Sequence, residues 1–151
     1  MRTTLAAAPP LLLAIALGAP PVSAQRHQIV PVPGAVEGLP FSPVARVGNV
    51  LYLSGQIGNV RGTRQLADTG IVGQARQTLE NIKAALAAAG SSLDRVFKCT
   101  VFLTTMADYG NMNEVYASYF PKDPPARSTV AGSGLAFGAR VEIECLATVG
   151  S

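Results

Sequence analysis

The chain has one histidine, two cysteines, three lysines and no tryptophan among its 151 residues. Each shortage removes a chemistry. Two cysteines cannot make a disulfide framework, and without histidines they cannot complete a zinc site. The one histidine, His27, lies close to the N-terminus and reads as part of a mobile lead-in. The folded part is therefore left without Ser-His-Asp, Cys-His or His-ligated metal chemistry. Only 14% of residues are charged and 48% are hydrophobic, a balance that favours a packed core over disorder. The net charge of +3 comes from scattered arginines and lysines, with no run that would track a phosphate backbone, so nucleic acid is a weak candidate partner. The length suits one domain.

The start of the chain reads as a targeting segment. Arg2 precedes an apolar stretch from Leu5 to Leu17 that is broken by Pro9 and Pro10, and Val22-Ser23-Ala24 puts small or apolar residues ahead of Gln25. This pattern predicts a signal peptide over residues 1–24 with cleavage after Ala24. The stretch is short and proline-interrupted for a membrane of roughly 30 Å, so no membrane anchor is expected after cleavage. The expected product is a single exported domain, periplasmic or secreted, over residues 25–151.

Residues 25–40 hold three prolines and two glycines and read as a lead-in with at most one edge strand. Val44 to Ile57 reads as two strands joined at Gly48-Asn49. Val50-Leu51-Tyr52-Leu53 is apolar on both faces, which predicts burial on both sides. The strand ends at Ser54-Gly55-Gln56, which suits either a ligand-facing turn or plain turn chemistry. After a loop over residues 58–70, Ile71, Ala75, Leu79, Ile82, Leu86 and Ala89 make one apolar helix face that stops at Gly90. Residues 95–105 are rich in β-branched and aromatic types and predict a strand with Phe97, Cys99, Val101 and Leu103 on one face. Thr105 to Asp108 resembles a capping box opening a second helix, with Met112, Val115, Tyr116 and Tyr119 on one side. Pro121, Pro124 and Pro125 end it and lead into an extended run through Val130. Arg140 to Val149 alternates as a strand, with Glu142 and Glu144 opposite Val141, Ile143 and Cys145. The order predicts an α+β fold with two helices on one face of a mixed sheet. Cys99 and Cys145 both project to the helix side, where they are read as small buried hydrophobes and not as a pair.

Several segments in order resemble the RidA (YjgF-type) reactive-intermediate deaminase family. They are Pro40-Phe41-Ser42 through Gly48-Asn49, Leu53-Ser54-Gly55-Gln56-Ile57, the helix over residues 74–90, residues 96–120, Pro125-Ala126-Arg127-Ser128-Thr129-Val130, and Val141 through Ala147. Together they span residues 40–149. The resemblance implies a chorismate-mutase-like fold, a homotrimer whose sheets line an inner barrel, and ligand sites between subunits. It also implies hydrolysis of 2-imino acids, such as 2-iminopropanoate and 2-iminobutanoate, to 2-oxo acids and ammonia with no metal or other cofactor.

On this resemblance Arg127 matches the arginine that holds the substrate carboxylate, and a guanidinium fork suits that group. Glu142 matches the acid that orients or activates water. Ser54 and Asn113 match polar pocket positions. Phe41 and Thr129 match two further pocket positions but depart from the family's tyrosine and cysteine, which puts substrate range in question more than fold. Arg127 and Glu142 would also serve as interface ion-pair residues, and Ser54 and Asn113 as structural caps. The alternatives to a deaminase are a ligand-binding or chaperone-like trimer that does not turn over and, ranked lower, an endoribonuclease, since no basic-aromatic platform for single strands is evident.

Overall fold

The computed structural model describes residues 26–150. The predicted signal peptide and cleavage point lie outside the described residues. Seven strands and two helices follow in the order β1 (Gln28–Val30), β2 (Val44–Val47), β3 (Val50–Leu53), β4 (Gln56–Ile57), α1 (Ile71–Ala88), β5 (Val96–Leu103), α2 (Tyr109–Tyr119), β6 (Ala126–Ala131) and β7 (Val141–Thr148). They form one mixed sheet ordered β1-β2-β3-β7-β5-β6, with β4 also paired to β7. Only β5 and β6, the two strands that α2 connects, run parallel to each other. The α+β class and the two helices agree with the sequence. No described helix is long and apolar enough to cross a membrane.

Both helices pack on the same sheet face, because the buried positions on every element converge there. Ile71, Ala75, Leu79, Ile82 and Leu86 of α1 and Met112, Val115 and Tyr116 of α2 meet Val101, Leu103, Val141 and Ile143 in one apolar core. The end of α1 is set by Gly90, whose φ of +71° takes the left-handed conformation. There the Ser91 N–H donates to Leu86 O at 2.9 Å and the Gly90 N–H donates to Ala87 O at 3.1 Å, which satisfies the last carbonyls.

Four local expectations are corrected. Phe97 does not share the buried face with Cys99: a bulge shifts the register between Val96 and Lys98, so Val96 turns inward and Phe97 is 44% exposed. Tyr52 is 46% exposed, so β3 is buried on one face within the chain and not on both. Thr105 does cap the turn at Met106–Asp108, accepting from the Ala107 N–H at 3.2 Å, but Asp108 does not close a capping box. Its buried carboxylate instead accepts from Arg140 Nε at 2.9 Å and Nη2 at 2.7 Å, pinning the start of β7 to that of α2. Finally, Cys99 and Cys145 form a disulfide with Cα atoms 4.1 Å apart. The alternation put both on the helix side. What it could not supply is the register that sets Cys99 directly opposite Cys145 on β5 and β7.

The other sheet face is left uncovered by the described residues. It carries Tyr52, Leu146, Thr100, Phe102 and Val130 together with Glu142, Glu144 and Lys98. Lys98 Nζ donates to Ser128 Oγ at 2.8 Å.

Candidate functional site

The residues singled out from sequence fall into two groups, on opposite faces of the sheet. Arg127 pairs in register with Cys99, so it faces the helices, but from an edge strand that leaves the guanidinium partly exposed. There α2 receives it. Arg127 Nη2 donates to Asn113 Oδ1 at 2.6 Å and to the Tyr109 hydroxyl at 3.4 Å. Its Cζ stands 4.6 Å from the centroid of the Tyr116 ring, a cation–π distance. Nε and Nη1 make no hydrogen bond to the described residues, so donors remain on the guanidinium for an anion.

The residues around Arg127 add to this anion-receptive character. Asn113 and then Arg127 hold the Tyr109 phenol below its ordinary pKa. Burial pushes the Tyr116 phenol up to about 12, with Arg127 opposing the shift. The Tyr116 hydroxyl and Thr129 Oγ1 are buried with no hydrogen-bond partner among the described residues. Thr129 pairs with Val101 and so lies on the Arg127 side of the sheet.

Glu142 belongs to the second group. It alternates with the core residues Val141 and Ile143, so its side chain leaves the sheet on the other face. It lines a cleft of about 210 Å³ between the lead-in (Val36, Leu39, Phe41), Gly55 at the β3–β4 break, Ile57 of β4 and Phe137 ahead of β7. Gly55 is required at that break. A Cβ built on it would lie 1.8 Å from Glu142 Oε1. Burial, followed by repulsion from Glu144, raises the Glu142 carboxyl above its ordinary range. A carboxylate whose pKa is raised is a stronger base than an ordinary one, which suits it to take a proton from water.

Ser54 lies beside this cleft, but its hydroxyl is engaged: Oγ donates to Ser42 O at 2.7 Å. It anchors the lead-in that carries Phe41. Gln56 Nε2 donates to Ser54 O at 3.0 Å and holds the same break. Phe41 lines the cleft and is 55% exposed.

The structure thus brings Arg127 together with Asn113, with Thr129 on the same side, and Glu142 together with Phe41, but it does not join the two groups within one chain. The sequence pattern does not mark Tyr109 or Gly55 as site residues, and Tyr116 reads there only as core. The spacing of Tyr109, Asn113 and Tyr116, which places all three on one side of α2, was the signal available for the tyrosines.

Comparisons with known proteins agree with this architecture. The family model described as endoribonuclease L-PSP matches residues 35–149. The 2-iminobutanoate/2-iminopropanoate deaminase of Mus musculus is 40% identical over 111 residues, covering 74% of this chain and 82% of that protein. Protein DfrA of Myxococcus xanthus is 43% identical over 110 residues, covering 72% and 84%. Among solved structures, E. coli TdcF with bound serine superposes with a TM-score of 0.74 at 32% identity, covering 82% of this chain and 99% of that one. The chain belongs to the endoribonuclease L-PSP family, the family of RidA and YjgF.

Proposed function

We propose that the protein is a homotrimeric hydrolase that converts reactive 2-imino acids to 2-oxo acids and ammonia at sites shared between subunits. The observation that carries this reading is the division of the site. One sheet face offers an arginine with unengaged guanidinium donors, and the other offers a raised carboxylate in a cleft. A second copy packed on the uncovered sheet face would bring Glu142 of one subunit to Arg127 of the next. The names of the mouse relative and of similar deaminases in other organisms support the substrate class.

In this reading Arg127 holds the substrate carboxylate through charge-assisted hydrogen bonds, while Asn113 and the Tyr116 ring fix the guanidinium plane. Glu142 takes a proton from water as the oxygen adds to the imine carbon. It then returns the proton to nitrogen to give the carbinolamine, whose hydroxyl proton passes through the same carboxylate to nitrogen as the carbon–nitrogen bond breaks and the carbonyl forms, releasing ammonia and the 2-oxo acid. Phe41 and Thr129 border the two halves of the site, and Ser54 holds the lead-in in place. The reaction as written uses no cofactor. The protein acts after export, with residues 1–24 removed, and intact-mass measurement of material from an exporting host checks that point.

The test is ammonia release from 2-iminopropanoate generated in the assay. Wild type should accelerate it. Arg127→Lys, which keeps the charge but loses the planar fork, should lower kcat/KM by about one to two decades. No acceleration by intact trimer would favour a ligand-binding role over turnover.

A further inference from the structure

Phe137 is held in an unusual way. Its backbone takes φ +55° and ψ +19°, the left-handed region that non-glycine residues rarely occupy. Its ring is 48% exposed and not packed in the core. The Arg64 guanidinium stands 5.7 Å from its centroid and braces it from the loop before α1. A strained, exposed aromatic residue held at the wall of a cleft is a feature expected where a ligand is contacted. The cleft is the one that contains Glu142, and Phe41, Leu39, Val36 and Ile57 complete an apolar wall around the carboxylate.

On the deaminase reading above, we infer that this wall is the side-chain pocket of the substrate, and that it selects 2-imino acids with a large apolar side chain, an aromatic ring above all, over the three-carbon member. A methyl group would leave most of the wall uncovered. The volume of about 210 Å³ admits a six-membered ring, since an apolar cavity of about 150 Å³ already takes benzene. Two charged residues line the cleft: Arg61, whose Nη2 is already engaged in donating to Pro33 O, and Glu142 beside Gly55, which would repel a substrate carboxylate. The geometry therefore orients the substrate with its carboxylate toward Arg127 of the partner subunit and its side chain among the phenylalanines.

The experiment compares kcat/KM for imines generated in the assay by an amino-acid oxidase from alanine, leucine and phenylalanine. The phenylalanine-derived imine should exceed the alanine-derived one by tenfold or more, because a hydrophobic pocket discriminates by about 10- to 200-fold for even one methylene. Phe137→Gly removes the ring and fits the positive φ, so it should fold, and it should reduce that ratio by about tenfold. If the alanine-derived imine is turned over as well as or better than the others, or if Phe137→Gly leaves the ratio unchanged, the side-chain pocket is wrong while the deaminase reading stands. If no imine is turned over, both fall.

Discussion

Co-assembling two impaired subunits, one with Arg127→Ala and one with Glu142→Gln, tests whether the site is shared between copies of the chain. Cys99 pairs with Arg127, and Phe102 pairs with Glu142. The two site residues are thus offset by three rows, about 10 Å along the strands at roughly 3.3 Å per residue. They also leave opposite faces, so one chain cannot apply both to one small substrate. In a ring of three, a working junction needs intact Arg127 from one subunit and intact Glu142 from the next. Whichever variant is in the majority, a mixed ring contains a single such junction, so purified mixed trimers should run at about a third of the wild-type rate. Each parent trimer should be down by tenfold or more. Differently tagged subunits, tandem purification of mixed trimers and ammonia release provide the assay. Mixed trimers no faster than their parents, with light scattering confirming assembly, would refute the shared site.

Gly55→Ala places a Cβ 1.8 Å from Glu142 Oε1 and 2.7 Å from its Cδ. The carboxylate must swing by more than 1 Å, so kcat/KM should fall by about 10²-fold while Tm moves little, because a flexible side-chain end absorbs the clash. Activity within twofold of wild type would contradict the role given to Glu142. Because burial raises the Glu142 carboxyl, the folded chain binds that proton more tightly than the unfolded one, and stability falls as pH rises from the ordinary carboxylate value through the raised one. Glu142→Gln should therefore raise Tm relative to wild type more at pH 7 than at pH 4, as calorimetry at the two values would show. The Cys99–Cys145 bridge spans 46 residues, for which chain entropy gives about 4 kcal/mol. The double alanine variant should lose ~2–4 kcal/mol in denaturant unfolding, and finding two free thiols in unfolded wild type would remove the basis for that expectation.

The fold was legible where period and punctuation agreed. The apolar face of α1 ends at Gly90, and Val141, Ile143 and Cys145 alternate cleanly with Glu142 and Glu144. It was less legible where register decides. Phe97 was misplaced because a bulge inserts one residue, and the disulfide was missed because pairing depends on which rows of β5 and β7 meet. Asp108 shows the same limit from another side: a short-range capping pattern lost to a partner 32 residues away, Arg140, that offered two charge-assisted bonds. The site residues were reached through resemblance, since a lone arginine after three prolines and a glutamate in an alternating strand are each common. Of their supports, Tyr109 and Tyr116 share one side of α2 with Asn113 by spacing alone, whereas Gly55 acts through a contact with Glu142 that no linear spacing displays.

The alternation that makes the sheet stable is also what divides the site. On a two-residue period, a residue in register with a core cysteine must face the helices, and a residue between two core aliphatics must face away. Arg127 tolerates the helix side only because β6 is an edge strand and α2 brings Asn113 and two tyrosine rings to its guanidinium. Glu142 sits on β7, inside the sheet, where the helix side is filled with core and no charge would be accommodated. Moving Glu142 by one position would place a charge in the core, and moving Arg127 by one would turn it to the open face, away from α2, so either shift takes the residue out of the site. A single sheet of this kind can present a cation for the carboxylate and a base for the water, but only to two different places. A second copy is the simplest way to make them one, and the uncovered face with Tyr52, Phe102 and Val130 supplies apolar surface for it to cover. Assembly and catalysis then depend on the same residues' placement, and a surface substitution such as Tyr52→Lys that prevents association should abolish turnover while leaving each monomer folded.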